Sequence, residues 1–452
     1  MKNKIKSEQI IPLSFLGAII VGTILLMLPV SSADGTGADF VTALFTATTS
    51  ICVTGLVVVD TFAYWSLFGK VVILILIQLG GLGIVTVTSL LFLMINKRLS
   101  LSGVVLLHDA FNLKTLTGLR KFILRVLKGT FIVEGFGALV YMTVFIKQFG
   151  VGKGIWVSVF TAISAFCNAG IDIIGPNSLI DYNDNSIIIW NTIMLIVLGG
   201  LGYVVWFDVL HCVREGFRKK FSPWRVMKRF SEHTKLVLTL TLFLIITGAC
   251  AIYLMEYTNP DTIGNMSTGG KVLNSIFQSV TFRTAGFAAV PQGSLRGNSV
   301  FLGCLFMFIG GSPVGTAGGV KTITFFVLVL NAVSFIRSRN ETVVYGHKIP
   351  KELIQKSTAI IMVSFLLTFL CTLLLMMTNT VTLDDAMYEL FSATATVGLS
   401  RGLTPNLNTI GRFIIIVCMY LGRIGPISMA LFFNYNSDHN KVSFTKGNYF
   451  VG

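Results

Sequence analysis

The stretch QSVTFRTAGF, residues 278–287, is a polar segment that ends in a glycine and an apolar residue. It lies between two stretches that are apolar enough to cross a membrane. Three other segments share its pattern. In each, a Phe is followed directly by Thr, Gln or Ser, and a Gly comes seven to ten positions after the Phe. Such internal repetition predicts a fold built from four like units. The four segments are LFTATTSICVTGL (44–56), VFTAISAFCNAGI (159–171), IFQSVTFRTAGF (276–287) and LFSATATVGL (390–399).

A second marker follows each of these segments, and its first glycine lies 24 to 29 residues after the glycine of the segment. Small residues let helices approach closely in a membrane, so we expect the markers to be packing contacts. The glycine-containing segment and the marker occur in the same order four times. This predicts four units, each consisting of a helix, a re-entrant segment and a helix. Each unit crosses the membrane twice, so the units are parallel and are not inverted repeats. The markers read LGGLG (79–83), LGGLG (198–202), IGGSPVG (309–315) and LGRIG (421–425).

The composition is that of an integral membrane protein. Of the 452 residues, 53% are hydrophobic and 12% are charged, whereas soluble domains carry about 25% charged residues. The apolar residues form runs of about 20, the length of a membrane-spanning helix. The first run is longer than the apolar core of a signal peptide, so we interpret it as a retained helix. Eight spans are predicted, over residues 11–30, 71–95, 122–146, 187–210, 236–255, 301–336, 355–378 and 410–433.

The distribution of positive charge predicts the orientation. The net charge is +15, and with the N-terminus inside, 25 of the 35 Lys and Arg residues fall in cytoplasmic segments and 8 in outer segments. This excess follows the positive-inside rule, so both termini are predicted to be cytoplasmic. The charge therefore needs no nucleic-acid partner to explain it. The seven cysteines are scattered without ligand-like spacing, so neither a disulfide framework nor a zinc site is predicted.

The predicted units divide the chain into consecutive segments. The four repeats occupy residues 1–97, 98–214, 215–340 and 341–436, and a cytoplasmic tail follows at 437–452.

Four like segments around one axis would bring four glycine-containing loops together at the outer end of a pore. Non-helical backbone at membrane depth is tolerated only where protein buries it or where it lines an aqueous cavity. Glycine permits positive φ and close approach of neighbouring backbones. Loops of this kind can direct carbonyl oxygens toward an axis, where they replace the hydration shell of an ion. The alternative is that the glycines only allow tight packing, which is a weaker explanation for four matched positions than for one.

The third unit departs from the other three in its second span. Residues 301–336 are too long for one span, and GGSPVGTAGG (310–319) has five glycines and a proline. Such a stretch cannot remain a regular helix, so we predict an intramembrane loop that acts as a gate. A static kink is the alternative. The stretch GTAGGVKT (315–322) does not fit a phosphate-binding loop, because Val320 replaces the glycine before the lysine.

Four charged residues are predicted at or near membrane depth, where a charge is costly and normally has a partner or a function. Arg423 is expected to face the pore and to hold the loop of the third unit through its carbonyl groups. Lys321 either has a similar role or extends toward the inner surface. Arg283 is expected to point away from the ion path and to brace the filter backbone. Glu134 is either a partner for a buried cation or a residue in a lipid-shielded or interfacial position.

The order CVTGL, CNAGI, RTAGF and TVGLS, with GGSPVGTAGG in the third unit, resembles the Trk/Ktr/HKT superfamily of potassium transporters over essentially the whole chain. Within it, the sequence is most similar to the KtrB-type membrane subunits of bacterial Ktr systems. The resemblance implies an all-α polytopic membrane protein with four parallel helix–pore loop–helix repeats around a central pore. It also implies a channel-like potassium uptake subunit of the bacterial cell membrane, without enzymatic activity.

The resemblance further implies which residues bind K⁺ and which form the gate. K⁺ would bind at Gly55, Gly170, Gly286 and Gly398, and glycine rather than serine at position 55 favours potassium over sodium. The carbonyl groups of the selectivity filter would belong to Val53, Thr54, Gly55, Asn168, Ala169, Gly170, Thr284, Ala285, Gly286, Thr396, Val397 and Gly398. The gate would comprise Gly310, Gly311, Ser312, Pro313, Gly315, Thr316, Gly318, Gly319, Lys321 and Arg423.

The partners implied by the resemblance are a second copy of the chain and a cytosolic ring. The homodimer would have one pore per protomer, and the ring would consist of nucleotide-binding RCK subunits of the KtrA type that sense ATP and ADP. The basic cytoplasmic segments 97–121 and 211–235 are candidate docking surfaces, although positive-inside topology already explains much of their charge. Membrane lipids and filter K⁺ complete the expected ligands, with no covalent cofactor. Sodium activation is common in the superfamily, but no motif here establishes it.

Two other functional classes compete with this interpretation. A cation-coupled secondary transporter, such as a K⁺/Na⁺ symporter, predicts inverted repeats and carboxylates at the membrane midplane, and the sequence has neither pattern. A membrane-embedded enzyme would need a catalytic motif such as HExxH or GxSxG, which the sequence lacks.

Overall fold

The computed structural model describes residues 7–83 and 119–425, which are predominantly helical. Four sequence-based predictions lie wholly or mostly outside these residues. They concern the inner part of the span 71–95, the basic cytoplasmic segment 97–121, the inner part of the span 410–433 and the tail 437–452.

Each predicted unit contains the same order of elements, a long helix, a shorter helix, a glycine-containing loop and a further helix. The first unit has α1 (Ser7–Met27), α2 (Phe40–Ile51), α3 (Thr61–Tyr64) and α4 (Leu67–Leu82). The second has α5 (Leu119–Phe149), α6 (Val151–Cys167), α7 (Ser186–Leu201) and α8 (Tyr203–Arg218), which runs four residues past the predicted boundary at 214. The third has the short helix α9 (Pro223–Lys228), followed by α10 (Glu232–Glu256), α11 (Thr268–Thr281), α12 (Gly297–Phe308) and α13 (Thr322–Ile336). The fourth has α14 (Lys351–Thr378), α15 (Leu383–Thr394) and α16 (Thr409–Ile424), preceded by the short antiparallel strands Val343–Val344 and His347–Lys348.

Capping side chains determine where three of the shorter helices begin. Asp39, Ser267 and Thr382 each accept a hydrogen bond from a backbone N–H group in the first turn of α2, α11 and α15. Such caps satisfy N–H groups that have no partner within the helix. The fourth shorter helix, α6, follows α5 directly through Gly150, whose φ is +79°. A turn this tight makes α5 and α6 a helical hairpin.

Three helices of the described residues are long and apolar enough to cross a membrane singly: Lys121–Phe149, Glu232–Glu256 and Lys351–Thr378. The helices α7 and α8 pass the same test as a pair that is bent by 99°. The remaining apolar helices have 10–17 residues.

The prediction of one continuous helix over 187–210 is wrong. The helix α7 ends at Leu201 because Gly202 has a φ of +88°. The N–H group of Tyr203 then donates a hydrogen bond to the carbonyl oxygen of Val314 at 3.1 Å. The loop of the third unit therefore contacts the bend. The helix end itself recurs at the last glycine of the marker in two other units, since α4 ends before Gly83 (φ +83°) and α16 ends before Gly425 (φ +90°).

The second span of the third unit is interrupted, as predicted. The helix α12 ends at Phe308 and α13 begins at Thr322. The ends of the intervening loop pair with each other, since Gly310 N–H donates to Val320 O at 2.9 Å and Thr322 N–H donates to Gly311 O at 3.0 Å. These bonds close the loop at its base. We call residues 309–321 the inner loop.

The glycines of the second marker pack against the carboxyl ends of the shorter helices. A Cβ atom added at any of three of them would overlap a backbone carbonyl oxygen of the shorter helix in the same unit. The predicted role of these glycines in close packing is therefore confirmed. The three glycine–carbonyl pairs are Gly80 with Ile51, Gly199 with Phe166 and Gly422 with Thr394.

Candidate permeation site

The four three-residue stretches that end in the glycine of each segment share one backbone conformation. In each stretch the first residue and the glycine have positive φ. Positive φ is uncommon for residues other than glycine and marks a backbone held by its surroundings. We call these stretches the glycine loops. They are Val53 (+54°) to Gly55 (+102°), Asn168 (+59°) to Gly170 (+64°), Thr284 (+68°) to Gly286 (+82°) and Thr396 (+52°) to Gly398 (+96°).

The glycine loops meet in a closed ring. A Cβ atom added at each glycine would come too close to the carbonyl oxygen of the middle residue in the next unit's loop. The clash distance is 2.7 Å at Gly170 and 2.5 Å at Gly286. The order of neighbours follows the order of the units and returns from the fourth to the first. The glycine–carbonyl pairs are Gly55 with Ala169, Gly170 with Ala285, Gly286 with Val397 and Gly398 with Thr54.

Polar groups remain without a partner beside the ring. The hydroxyl oxygens of Thr54, Thr284 and Thr396 are fully buried and make no hydrogen bond to described residues. Buried polar groups are normally satisfied by protein or by ordered solvent.

A cavity of about 180 Å³ opens on one side of the ring. Its lining includes all four ring glycines and residues that follow them, among them Asp172 and Ser400, together with Asp60. Asp172 lies in the loop between α6 and α7, and burial raises the pKa of its carboxyl group to about 6. Its negative charge is present above that pH and lost below it. A cavity lined by carboxylates raises the local concentration of cations.

The inner loop contacts the ring through residues that precede the glycines. Thr316 Oγ1 donates to the carbonyl oxygen of Phe166 at 3.0 Å and to Asn168 Oδ1 at 3.4 Å. A Cβ atom at Gly318 would overlap the Thr396 hydroxyl. The inner loop and the cavity thus lie against different residues of the glycine loops.

Two basic side chains hold the inner loop, as expected for Arg423. Arg423 Nη1 donates to Thr316 O at 2.6 Å, and Nη2 donates to Gly80 O. Arg423 therefore connects α16 of the fourth unit with the inner loop and with α4 of the first unit. Lys321 Nζ donates to Ala317 O at 2.6 Å, within the loop itself.

Two further expectations for charged residues are not met. Arg283 is buried beside the third glycine loop, but among the described residues its guanidinium makes no hydrogen bond to the filter backbone, so the predicted brace is wrong. Glu134 is buried and forms no ion pair within the described ranges. It accepts hydrogen bonds from Gln78 Nε2 at 3.1 and 3.3 Å, and Cys167 Sγ lies at 3.9 Å. One amide group and one thiol therefore surround this carboxyl in place of the expected cation.

A buried acidic residue near the fourth glycine loop was missed by the sequence analysis, as were the cavity residues Asp60, Asp172 and Ser400. Glu389, in the middle of α15, is fully buried. It accepts hydrogen bonds from Ser400 Oγ at 3.0 Å and from Thr404 Oγ1, both of which follow the fourth glycine loop. The available signal was an acidic residue inside the apolar stretch AMYELF (386–391).

Comparisons with known proteins agree with one another. A model of the TrkH family, described as cation transport protein, matches residues 7–443. The Ktr system potassium uptake protein B of Bacillus subtilis is 36% identical over 98% of this chain and 96% of its own length. The protein of the same description from Vibrio alginolyticus is 35% identical over 95% and 91%. The crystal structure of the potassium transporter TrkH from Vibrio parahaemolyticus matches with a TM-score of 0.76 at 16% identity, covering 96% of this chain and 86% of that one. The helical fold is thus shared with a solved transporter.

Proposed function

Because this chain belongs to the TrkH family of cation transport proteins, we propose that it is the ion-translocating membrane subunit of a potassium uptake system. The observation that carries the proposal is the closed ring of four glycine loops. The cavity lies against residues that follow the ring glycines, and the inner loop lies against residues that precede them. An ion path with a gate requires such an order of cavity, ring and inner loop.

In this proposal, four parallel repeats with eight spans surround the ring, and the ring is the selectivity filter. K⁺ binds to carbonyl oxygens of the glycine loops, including those of Thr54, Ala169, Ala285 and Val397. Each of these oxygens lies close to the ring glycine of the preceding unit, which supports this assignment. The membrane potential drives entry, since a negative interior favours one positive charge by about 2.3 kcal/mol per 100 mV.

The inner loop is the proposed gate. It is tied to the second unit through Thr316 and to the fourth through Arg423, so its release requires breaking contacts on two sides. We further propose a homodimer in the bacterial plasma membrane with cytoplasmic termini. A cytosolic nucleotide-binding ring of the KtrA type would act on the gate from the basic inner surface, and Na⁺ is a candidate activator. The relatives named as parts of a Ktr system support a partner subunit.

A second candidate is a K⁺/Na⁺ symporter. One relative, from Enterococcus hirae, carries the description potassium/sodium uptake protein and is 34% identical over 95% of this chain and 93% of its own length. A symporter requires a fixed ratio of Na⁺ to K⁺ moved per cycle, whereas a channel-like path does not.

The test is ⁸⁶Rb⁺ and ²²Na⁺ flux into proteoliposomes at a fixed membrane potential, with the wild type, Gly55→Ser and Gly35→Ser. Gly35 is the matched control, because it also has positive φ (+73°) but has no atom within 4 Å of an added Cβ. We expect the wild type to prefer Rb⁺, with a discrimination that falls about tenfold or more in Gly55→Ser, which corresponds to about 1.4 kcal/mol. Gly35→Ser should keep it.

The outcomes separate the two candidates. Equal uptake of both ions by the wild type contradicts a potassium-selective filter. Rb⁺ uptake that stops without Na⁺, together with a constant ratio of the two fluxes, favours the symporter. If the isolated protein carries neither ion, the experiment is repeated with the cytosolic partner before the assignment is judged.

A further inference from the structure

A small cavity beside the third glycine loop has no role in the function proposed above. Its volume is about 20 Å³, and its lining comes from the second glycine loop, α7, α10, the third unit's segment around Arg283 and the inner loop. About 10–15 Å³ is enough for one water molecule. The cavity therefore has room for one water molecule or one monatomic ion.

Arg283 places an uncompensated charge at this cavity. The side chain is 8% exposed, and its Nε atom is fully buried without a hydrogen-bond partner. Within the described ranges, its guanidinium forms neither a hydrogen bond nor an ion pair. Arginine keeps its proton in proteins. A buried charge of this kind is strongly unfavourable unless it is paired.

The corresponding positions of the other units show that packing alone does not require an arginine. The residue three positions before the ring glycine is small in each of them. The cation is therefore specific to the third unit, at the boundary with the second. The corresponding residues are Cys52, Cys167 and Ala395.

Two neutral side chains that line the cavity also have unused hydrogen-bonding groups. Asn168 Nδ2 and Thr241 Oγ1 are buried without partners. Asn168 Oδ1 lies 3.4 Å from Thr316 Oγ1, on the other side of the amide from Nδ2. A guanidinium, an amide N–H and a hydroxyl group can all donate to one ligand. An anion accepts from all three and neutralises the charge, whereas a water molecule accepts but leaves the charge unpaired.

We propose that this cavity is a halide site, in which a chloride ion is bound by Arg283, Asn168 and Thr241. The site lies three residues before Gly286, so the bound anion cancels a positive charge that would otherwise repel cations at the ring. It is distinct from the cation sites of the ring, and it does not depend on which cation the protein transports.

Halide binding is measured first by thermal unfolding of the purified full-length protein at constant ionic strength. Potassium gluconate is replaced stepwise by potassium chloride or bromide. A ligand that binds the folded state raises the melting temperature in a saturable manner, so we expect such a rise with both halides. In Thr241→Val, which keeps the shape and removes one donor, half-saturation should need about tenfold more halide. Arg283→Met should abolish the response.

Arg296→Gln is the matched control. Arg296 belongs to the same unit, and its guanidinium donates to Met255 O and Thr258 Oγ1. The substitution therefore removes an arginine that already has hydrogen-bond partners. This variant should keep the halide response. No response in the wild type, or an equal response in Thr241→Val and the wild type, contradicts the proposal. If Arg283→Met does not fold, the half-saturating halide concentrations of Thr241→Val and the wild type still test the proposed site.

The position of the ion is measured by anomalous diffraction from crystals of the wild type grown in bromide. An anomalous peak beside the Arg283 guanidinium supports the proposal. Ordered density at that position without a bromide signal identifies a water molecule and overturns it. A bromide peak elsewhere, with an empty cavity, overturns it as well.

Discussion

At the scale of single residues, the four glycine loops are not supported equally. The N–H group of Gly55 donates to Thr49 Oγ1, and that of Gly398 donates to Ser392 Oγ, both at 3.0 Å. The equivalent Ser164 hydroxyl in the second unit has no partner among the described residues. The third unit has Val280 at this position and therefore no hydroxyl at all. Side-chain acceptors for the N–H groups of the ring glycines thus come from the first and fourth units, whereas in the third unit Thr281 Oγ1 donates to Phe287 O at 2.6 Å.

Thr49→Val tests this support. The substitution keeps the shape of the side chain but leaves the buried N–H group of Gly55 without its acceptor, which costs about 1–3 kcal/mol. We expect the preference for Rb⁺ over Na⁺ in proteoliposomes to fall by about tenfold. Thr46→Val is the control, because the Thr46 hydroxyl donates only to Thr42 O within the same helix. Equal selectivity in the two variants would mean that the Thr49 contact does not hold the filter.

Sequence spacing identified the ring residues because the same pattern occurs four times, and each copy needs a glycine where neighbouring backbones meet. The partners of single charged residues could not be found in this way. Glu134 meets Gln78, 56 positions earlier, and Arg423 meets Gly80, 343 positions earlier. Contacts at such separations depend on how units pack, and one sequence contains no record of that packing.

At the scale of elements, the inner loop is attached mainly to the second unit. Ser312 N–H donates to Gly200 O at 3.0 Å and Thr316 N–H donates to Gly199 O at 3.1 Å, so the loop caps the carboxyl end of α7. Thr316 adds its hydroxyl bond to Phe166 O, and its own carbonyl accepts from Arg423. Thr316 is therefore the residue at which three units meet.

Thr316→Val tests whether this attachment restrains the ion path. The variant loses the hydroxyl donor to Phe166 O and Asn168 Oδ1, which weakens the closed position of the inner loop by about 1 kcal/mol or more. We expect a faster ⁸⁶Rb⁺ uptake per protein, by roughly fivefold to tenfold. Ser312→Ala, in the same loop, removes a hydroxyl group that has no partner among described residues and should leave the rate unchanged. A Thr316→Val rate at the wild-type level would contradict the proposed gate.

The contact between α7 and α6 permits a sharper test of packing. A Cβ atom at Gly199 would overlap Phe166 O and lie 2.7 Å from Thr316 Oγ1, whereas at Gly200 the nearest atom would be Asn168 Nδ2 at 3.6 Å. Gly199→Ala should therefore destabilise the protein by about 1–3 kcal/mol through overpacking. Gly200→Ala, one position later on the same helix, should be tolerated. Thermal unfolding of both variants in detergent measures the difference, and equal melting temperatures would contradict this packing.

Helix breaks were predictable where several breaking residues lie together. The interruption after Phe308 follows from five glycines and a proline in ten residues. The helices α4, α7 and α16 end at the last glycine of the marker, and Gly83, Gly202 and Gly425 all have positive φ. A single glycine did not reveal these ends, because one glycine inside a helix costs only about 1 kcal/mol. At Gly202 a contact with another unit is added, since Tyr203 N–H donates to Val314 O.

At the scale of the whole molecule, the ring order supports units that point the same way. Each glycine lies against a carbonyl of the following unit in an unbroken cycle, which is the order expected if one rotation relates each unit to the next. Inverted repeats are related instead by an axis in the membrane plane, which places equivalent loops on opposite faces. Parallel units therefore predict that equivalent loops of the second and third units are exposed on the same side of the membrane.

Cysteine labelling in intact cells tests this prediction. In a Cys250→Ser background, which removes the exposed native thiol, the exposed residues Asn177, Asn265 and Ser222 are each replaced by cysteine. Asn177 and Asn265 belong to the segments predicted to be outside, and Ser222 lies in the basic segment between α8 and α9. We expect a membrane-impermeant maleimide to label Asn177→Cys and Asn265→Cys but not Ser222→Cys, whereas a permeant maleimide labels all three. Labelling of only one of the two outer positions would support inverted units, and it would remove the basis for a ring with one common axis.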